Sequence, residues 1–147
     1  MRKHPQHSND VIDAITGTHK TLLRESGELL SKEGMTRPEF QALRCVAEKG
    51  PVPMKGISEK MFVTRASITG LIDKLESKGL VKRTAHRRDR RATIIELTPK
   101  GVAVQERVSS KYKAFMQDAL KVLTEGEQRN LRDSLLKLQE SMSQSRG

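Results

Sequence analysis

Apolar residues recur at helical spacing along most of this chain, and the interruptions fall at glycine, proline and hydroxyl residues. After a polar stretch at residues 1 to 8 that is expected to fray, Val11, Ile12, Ile15, Leu22, Leu23, Leu29 and Leu30 predict a long helix. It runs from a cap at about Asn9 to Gly34, weakened by Gly17 and Gly27. Thr36 stands three residues before Glu39, the spacing of a capping box, and opens a second helix with a core face of Phe40, Leu43, Val46 and Ala47. Gly50-Pro51-Val52-Pro53 stops it, because proline cannot continue the hydrogen-bond ladder. Lys55 to Met61 reads as a short helix with Ile57 and Met61 turned inward, and Phe62-Val63 as a turn. Thr64 then caps a helix whose Ile68, Leu71, Ile72 and Leu75 share one face, and Gly79 ends it where a left-handed residue is commonly required.

Beyond Gly79 the period changes from helical to alternating. Val81, Arg83 and Ala85 alternate with Lys82 and Thr84, and Thr93, Ile95 and Leu97 with Ile94 and Glu96, which predicts two strands around a polar tip. Thr98-Pro99 restarts a helix, proline being free of cost where no donor is needed. Val104, Val108, Tyr112, Phe115, Met116, Ala119 and Leu123 carry that helix to a second capping box, Thr124 with Glu127. In the last helix Leu131, Leu135, Leu138 and Met142 form a seam like that of a coiled coil, which a chain this size cannot cover alone. The predicted fold is mainly α with a small β-hairpin wing. A winged helix-turn-helix lobe over 36–97 is flanked by dimerisation helices at 9–34 and 98–143, all within one domain over 1–147.

Composition sharpens this picture. A hydrophobic share of 35% against 31% charged is lean for a self-contained globule of 147 residues and fits burial completed by a second subunit. Between Lys55 and Lys100 stand twelve Lys or Arg against five Asp or Glu, so +7 of the net +10 lies in that segment. Such a focus points to a polyanion, a nucleic acid above all. No apolar run approaches the roughly 20 residues of a membrane span, and no apolar anchor accompanies the basic face, so the expected setting is cytoplasmic with no membrane partner. The histidines His4, His7, His19 and His86 lack ligand spacing, which predicts no metal. No phosphate-cradling loop, nucleophile elbow or acid-base constellation is present, which predicts no catalytic residues, no cofactor and no enzyme activity. Cys45 cannot form an internal disulfide. It reads as a small buried apolar residue, with a redox-sensing role as the alternative.

Ser67-Ile68-Thr69, then Leu75-Glu76-Ser77-Lys78-Gly79-Leu80-Val81, then Asp89-Arg90-Arg91 and Leu97-Thr98-Pro99-Lys100-Gly101, together resemble the signature of MarR-type transcriptional regulators. The resemblance implies a homodimer with interlocking terminal helices, whose two lobes bind a pseudo-palindromic operator in adjacent major grooves. It places Ala66, Ser67, Thr69 and Lys74 where the recognition helix meets the major groove. Arg90 falls where the wing enters the minor groove, and Asp89 with Arg91 matches the pair that shapes the wing. Two departures stand out. His86-Arg87-Arg88 replaces a common proline before the acid-arginine pair, and Gly70 replaces an arginine that can read bases. The resemblance further implies a crevice for a small anionic or phenolic effector, with Lys20, Arg37 and Tyr112 as its polar residues.

On this reading Lys55, Lys60, Ser67, Lys82, Arg83, Arg87 and Arg88 contact phosphates, while Arg65, Thr69 and Lys74 reach base edges beside Gly70. Arg90 is expected in a narrow minor groove, against the alternative of an ion pair with Asp89 or Glu96, whereas Arg91 is expected to serve structure. Asp73 is expected to pair with Lys74 or Arg65. The functional expectation is a sequence-specific dimeric regulator, a repressor released by a ligand. A non-sequence-specific, chromatin-like DNA binder remains the alternative.

Overall fold

The computed structural model describes residues 5–61 and 63–145, so Phe62 of the expected turn and the first four residues of the polar tail lie outside the described residues. Helix α1 spans Pro5–Lys32 and begins earlier than the expected Asn9. Proline is tolerated in a first helical turn, where its missing N–H would have no partner in any case. Helix α2 spans Arg37–Lys49, and the Thr36 hydroxyl accepts from the Glu39 N–H at its start. The Glu39 carboxylate turns to the Thr36 hydroxyl, which donates to it at 3.0 Å, and to Lys78. Strand β1 is Val52–Pro53, α3 is Met54–Met61, α4 is Arg65–Ser77, β2 is Val81–Ala85 and β3 is Thr93–Leu97. Helices α5, Pro99–Leu120, and α6, Glu125–Gln144, complete the chain.

The strand β1 is a correction to the two-stranded expectation. The sheet is three-stranded and antiparallel in the order β1-β3-β2, with Val52 opposite Ile95 and Val81 opposite Leu97. Pro53, lacking a donor, sits on an edge strand, where its missing N–H breaks no central ladder.

The chain divides into two compact units, the first ending at Tyr112 and the second beginning at Lys113. The first unit holds the hydrophobic core, built from Leu30, Phe40, Leu43, Val46, Ile57, Ile68, Ile72, Leu75, Val81, Ile95 and Val108, with smaller neighbours. Ala47 is exposed, contrary to expectation, and the buried stripe of α2 instead takes in Ala42 and Cys45. Cys45 is 2% exposed, as the packing reading requires.

The junction into α5 explains the Thr-Pro-Lys-Gly run. The Thr98 hydroxyl accepts from the Gly101 N–H at 3.0 Å and donates to the Gly79 carbonyl, while the Thr98 N–H donates to Leu80. Helix and strand thereby approach so closely that a Cβ on Gly101 would stand 1.9 Å from the Leu80 carbonyl oxygen. Only glycine fits there. Further along, Arg107 and Lys111 of α5 pair with Glu33 beyond α1.

In the second unit the Thr124–Glu127 capping box is complete, both reciprocal bonds being present. The Gln128 amide donates to the Leu120 and Leu123 carbonyls and ties the turn. Helix α6 nevertheless buries none of its residues. No helix among the described residues is long and apolar enough to cross a membrane.

Candidate nucleic-acid interface

Helices α3 and α4 form the helix-turn-helix. At the start of α4, Thr64 is extended and its hydroxyl accepts from the Ser67 N–H at 3.2 Å, the expected cap. Its inward face seats Ile68, Ile72 and Leu75, which fixes the opposite face outward, with Leu71 half-buried at the edge. The far end of α4 closes on Gly79 at φ +74°, with Gly79 N–H donating to Glu76 and Leu80 N–H to Leu75. That pair of bonds satisfies carbonyls the helix would otherwise leave open and turns the chain into β2.

Arg65, Ala66, Ser67, Thr69, Gly70 and Lys74 are all exposed. The Thr69 hydroxyl donates to the Arg65 carbonyl at 2.8 Å and is thus occupied within the helix. Gly70 has nothing within 4 Å of where its Cβ would stand, so no contact within the chain demands a glycine.

The second half of α4 differs from expectation. Asp73 pairs with Arg83 of β2, not with Lys74 or Arg65, and Glu76 takes the other side of the same guanidinium at 3.1 Å. Arg83 is half-buried, and its fork is committed to two carboxylates. It therefore fastens β2 to α4. Asp73 and Glu76 are three apart and share one helix face, but nothing in their spacing names a partner on β2. Lys82 pairs with Glu96 across the strands at 2.9 Å, and Lys60 with Glu48 of α2 at 2.7 Å. The hydrogen bond that Lys60 donates to the Glu48 carboxylate holds the ammonium pKa above its usual range.

The wing tip carries Arg87, Arg88, Arg90 and Arg91, all exposed, and none has a carboxylate within ion-pair distance among the described residues. Asp89 Oδ1 accepts from the Arg91 backbone N–H at 3.0 Å, so the acid shapes the loop. Arg90 makes neither of the ion pairs weighed against its groove role. A groove of about 430 Å³ is lined jointly by Lys55 of α3, Arg65 and Thr69 of α4, and Asp89 and Arg91 of the wing. Recognition helix and wing thus border one surface, whose charged lining is Lys55, Arg65, Arg91 and Asp89.

At the back of the lobe Glu39 is buried, and Lys78, just past α4, donates to it and to the Gly34 carbonyl. Burial pushes the Glu39 carboxyl up, and the Lys78 and Thr36 hydrogen bonds more than offset this, leaving it below the usual range. The residues named for an effector crevice are placed differently from one another. Arg37 donates to the Leu23 carbonyl and the Ser26 hydroxyl of α1, Tyr112 packs on Phe40 with ring centroids 5.2 Å apart, and Lys20 is exposed. Neither the groove above nor a second cavity of about 500 Å³ beside Cys45 and Lys60 contains any of the three.

A capped recognition helix packed on a helical core, followed by a hairpin with a cationic tip that completes a three-stranded sheet, defines a winged-helix DNA-binding regulator. The model of the MarR family matches residues 35–93. The chain is 34% identical over 113 residues to the HTH-type transcriptional regulator MhqR of Bacillus subtilis, covering 77% of this chain and 78% of that protein. It is 30% identical over 127 residues to the HTH-type transcriptional repressor MdtR of the same organism, covering 86% and 82%. The solved structure of a MarR family protein from Bacillus stearothermophilus superposes with a TM-score of 0.79 at 25% identity, covering 97% of this chain and 99% of that one. This chain belongs to the MarR family of transcriptional regulators. It is a regulator and not an enzyme.

Proposed function

We propose that this protein is a homodimeric, sequence-specific repressor that binds a pseudo-palindromic operator in the cytoplasm and is released by a small anionic or phenolic effector. One observation carries the DNA reading: α4 and the wing border the same groove, with four wing arginines free of carboxylate partners among the described residues. Affinity then comes from Lys55, Lys82, Arg87 and Arg88 on phosphates, and sequence reading from Arg65, Ala66, Ser67, Thr69 and Lys74 in the major groove. Arg90 enters the minor groove, where enhanced negative potential favours a cation, while Arg83 and Asp89 hold the wing in shape and Arg91 lines the groove beside them. Repression is supported by the likeness to MdtR, which is named a repressor.

The dimer reading rests on apolar faces that lack cover. Val11 and Ile12 of α1 are more than half exposed, as are Leu136 and Met142 of α6. A second copy of the chain supplies matching surface to each, and two lobes one helical turn of DNA apart require a two-fold site. For the effector, Arg37 and Tyr112 are proposed through the helices they join, since a ligand that displaced Arg37 from α1 would alter the seat of α2.

Selection of bound fragments from genomic DNA, with the protein's mass measured by light scattering, tests the whole reading. The expected result is a dimer that enriches an inverted repeat and prefers it over random duplex by at least roughly a thousandfold at physiological salt. Equal affinity for every duplex would establish the chromatin-like alternative, and a stable monomer would remove the operator geometry.

A further inference from the structure

The wing tip from His86 to Ala92 is closed by its own hydrogen bonds, with one imidazole at their centre. Nδ1 of His86 accepts from the backbone N–H groups of Arg88 and Asp89, each at 3.1 Å. The His86 N–H donates to the Ala92 carbonyl at 3.2 Å, and the Ala92 N–H to the Asp89 carbonyl at 3.1 Å. Asp89 Oδ1 completes the set through the Arg91 N–H. His86 therefore does what an asparagine or aspartate side chain does in a turn, accepting from amides two and three residues ahead. Only a neutral ring with its proton on Nε2 offers that acceptor.

We propose that His86 is a positioning residue for DNA recognition, its imidazole fixing the wing tip so that Arg88 and Arg90 are presented in one geometry before DNA arrives. The inference rests on the reading that the wing contacts DNA. Four neighbouring guanidinium groups repel one another and drive an untied loop toward many conformations, each of which must be given up on binding. A cap formed in the free protein removes that cost beforehand. An aspartate would cap as well but would set a negative charge beside the phosphates, whereas imidazole supplies the acceptor without the charge.

The test compares His86→Phe, which keeps a ring and loses the acceptor, with His86→Asn, which returns an acceptor within reach of the same amides. Binding is read by fluorescence anisotropy on a labelled duplex carrying the selected operator, and free-protein order by amide relaxation over residues 86–92. His86→Phe is expected to weaken binding roughly tenfold. The same variant lowers the order parameters of Arg88 and Asp89 toward about 0.6, and His86→Asn restores both readouts. Combined with Arg90→Ala, the two losses multiply to less than their product, because an untied wing no longer presents Arg90. Wild-type affinity or wild-type order in His86→Phe, or a His86→Asn as weak as His86→Phe, overturns the inference. A wild-type protein that ignores the duplex overturns the DNA reading and this inference with it. A binding wild type beside an unweakened His86→Phe overturns the inference alone.

Discussion

Helix α4 and helix α6 have the same local equipment and opposite surroundings. Each opens on a threonine whose hydroxyl accepts from an amide three residues on, and each carries apolar residues at helical spacing. Yet Ile68 and Ile72 of α4 are 1% and 0% exposed, while Leu131 and Met142 of α6 are 48% and 62% exposed. Capping and periodicity decide that a helix forms; neighbours decide how much it is worth. The lobe carries its own core, whereas the apolar face of α6 depends on a surface that α6 does not find within its own unit. The largest expected effect follows directly. Ile72→Ala should cost about 2–5 kcal/mol in urea unfolding, and Leu131→Ala less than about 0.5 kcal/mol when the protein is dilute. The Leu131→Ala deficit should grow with protein concentration, because a subunit interface stabilises by mass action. Equal losses from the two variants at every concentration would erase the contrast.

This contrast also separates what the residues reveal in order from what they do not. The caps at Thr36, Thr64, Thr98 and Thr124, the stop at Gly79 and the inward face of α4 are set by contacts within a few residues, and all are legible from spacing. Strand β1 is not, because Val52–Pro53, preceded by a second proline at Pro51, reads as a breaker until Ile95 supplies a partner from a distant strand. The start of α1 misleads for a related reason, since Pro5 signals a break in the interior of a helix and a good first turn at its end. In α2 a stripe of four misses that a helix enclosed by α1, α3 and the sheet buries a wider arc, which admits Ala42 and Cys45 and leaves Ala47 outside. For the interface the cationic residues are legible, but the fate of Arg83 is not. Its two carboxylates lie on another element, and only folding brings them to the same guanidinium.

A smaller effect sharpens the comparison through charge. Ion pairs in the second unit, such as Arg132 with Asp133, are exposed at both ends and contribute little. Glu39 in the lobe is buried, and its carboxyl is held below the ordinary value of 4.5 by the Lys78 and Thr36 hydrogen bonds, which outweigh its burial. A depressed carboxyl stabilises the fold above its unfolded value, and that stability disappears as pH falls through the folded value. Lys78→Ala should therefore cost about 1–2 kcal/mol near neutrality. The gap from wild type should close as pH drops below 4.5, measured by urea titrations across that range. Lys121→Ala, which breaks an exposed pair in the second unit, should show no comparable gap at any pH. A Lys78→Ala deficit that persists unchanged in acid would mean that the lysine acts through the Gly34 carbonyl alone.

The smallest effect concerns a place where the lobe forgoes stability in the middle of its recognition helix. Gly70 lies in the interior of α4, at ordinary helical geometry, with open space where a Cβ would project. Glycine there costs roughly 0.5–1 kcal/mol relative to alanine, through backbone freedom surrendered on folding. Gly70→Ala should accordingly raise stability by about that amount, since no neighbour obstructs the added methyl. If α4 enters the major groove along the face that carries Ala66 and Thr69, the same methyl stands between helix and bases, and operator affinity should fall while the unfolding midpoint rises. The opposite signs are what make the measurement decisive. A variant that gains both stability and affinity would mean that α4 meets DNA only through its first turn, leaving Arg65 and the wing to read the sequence.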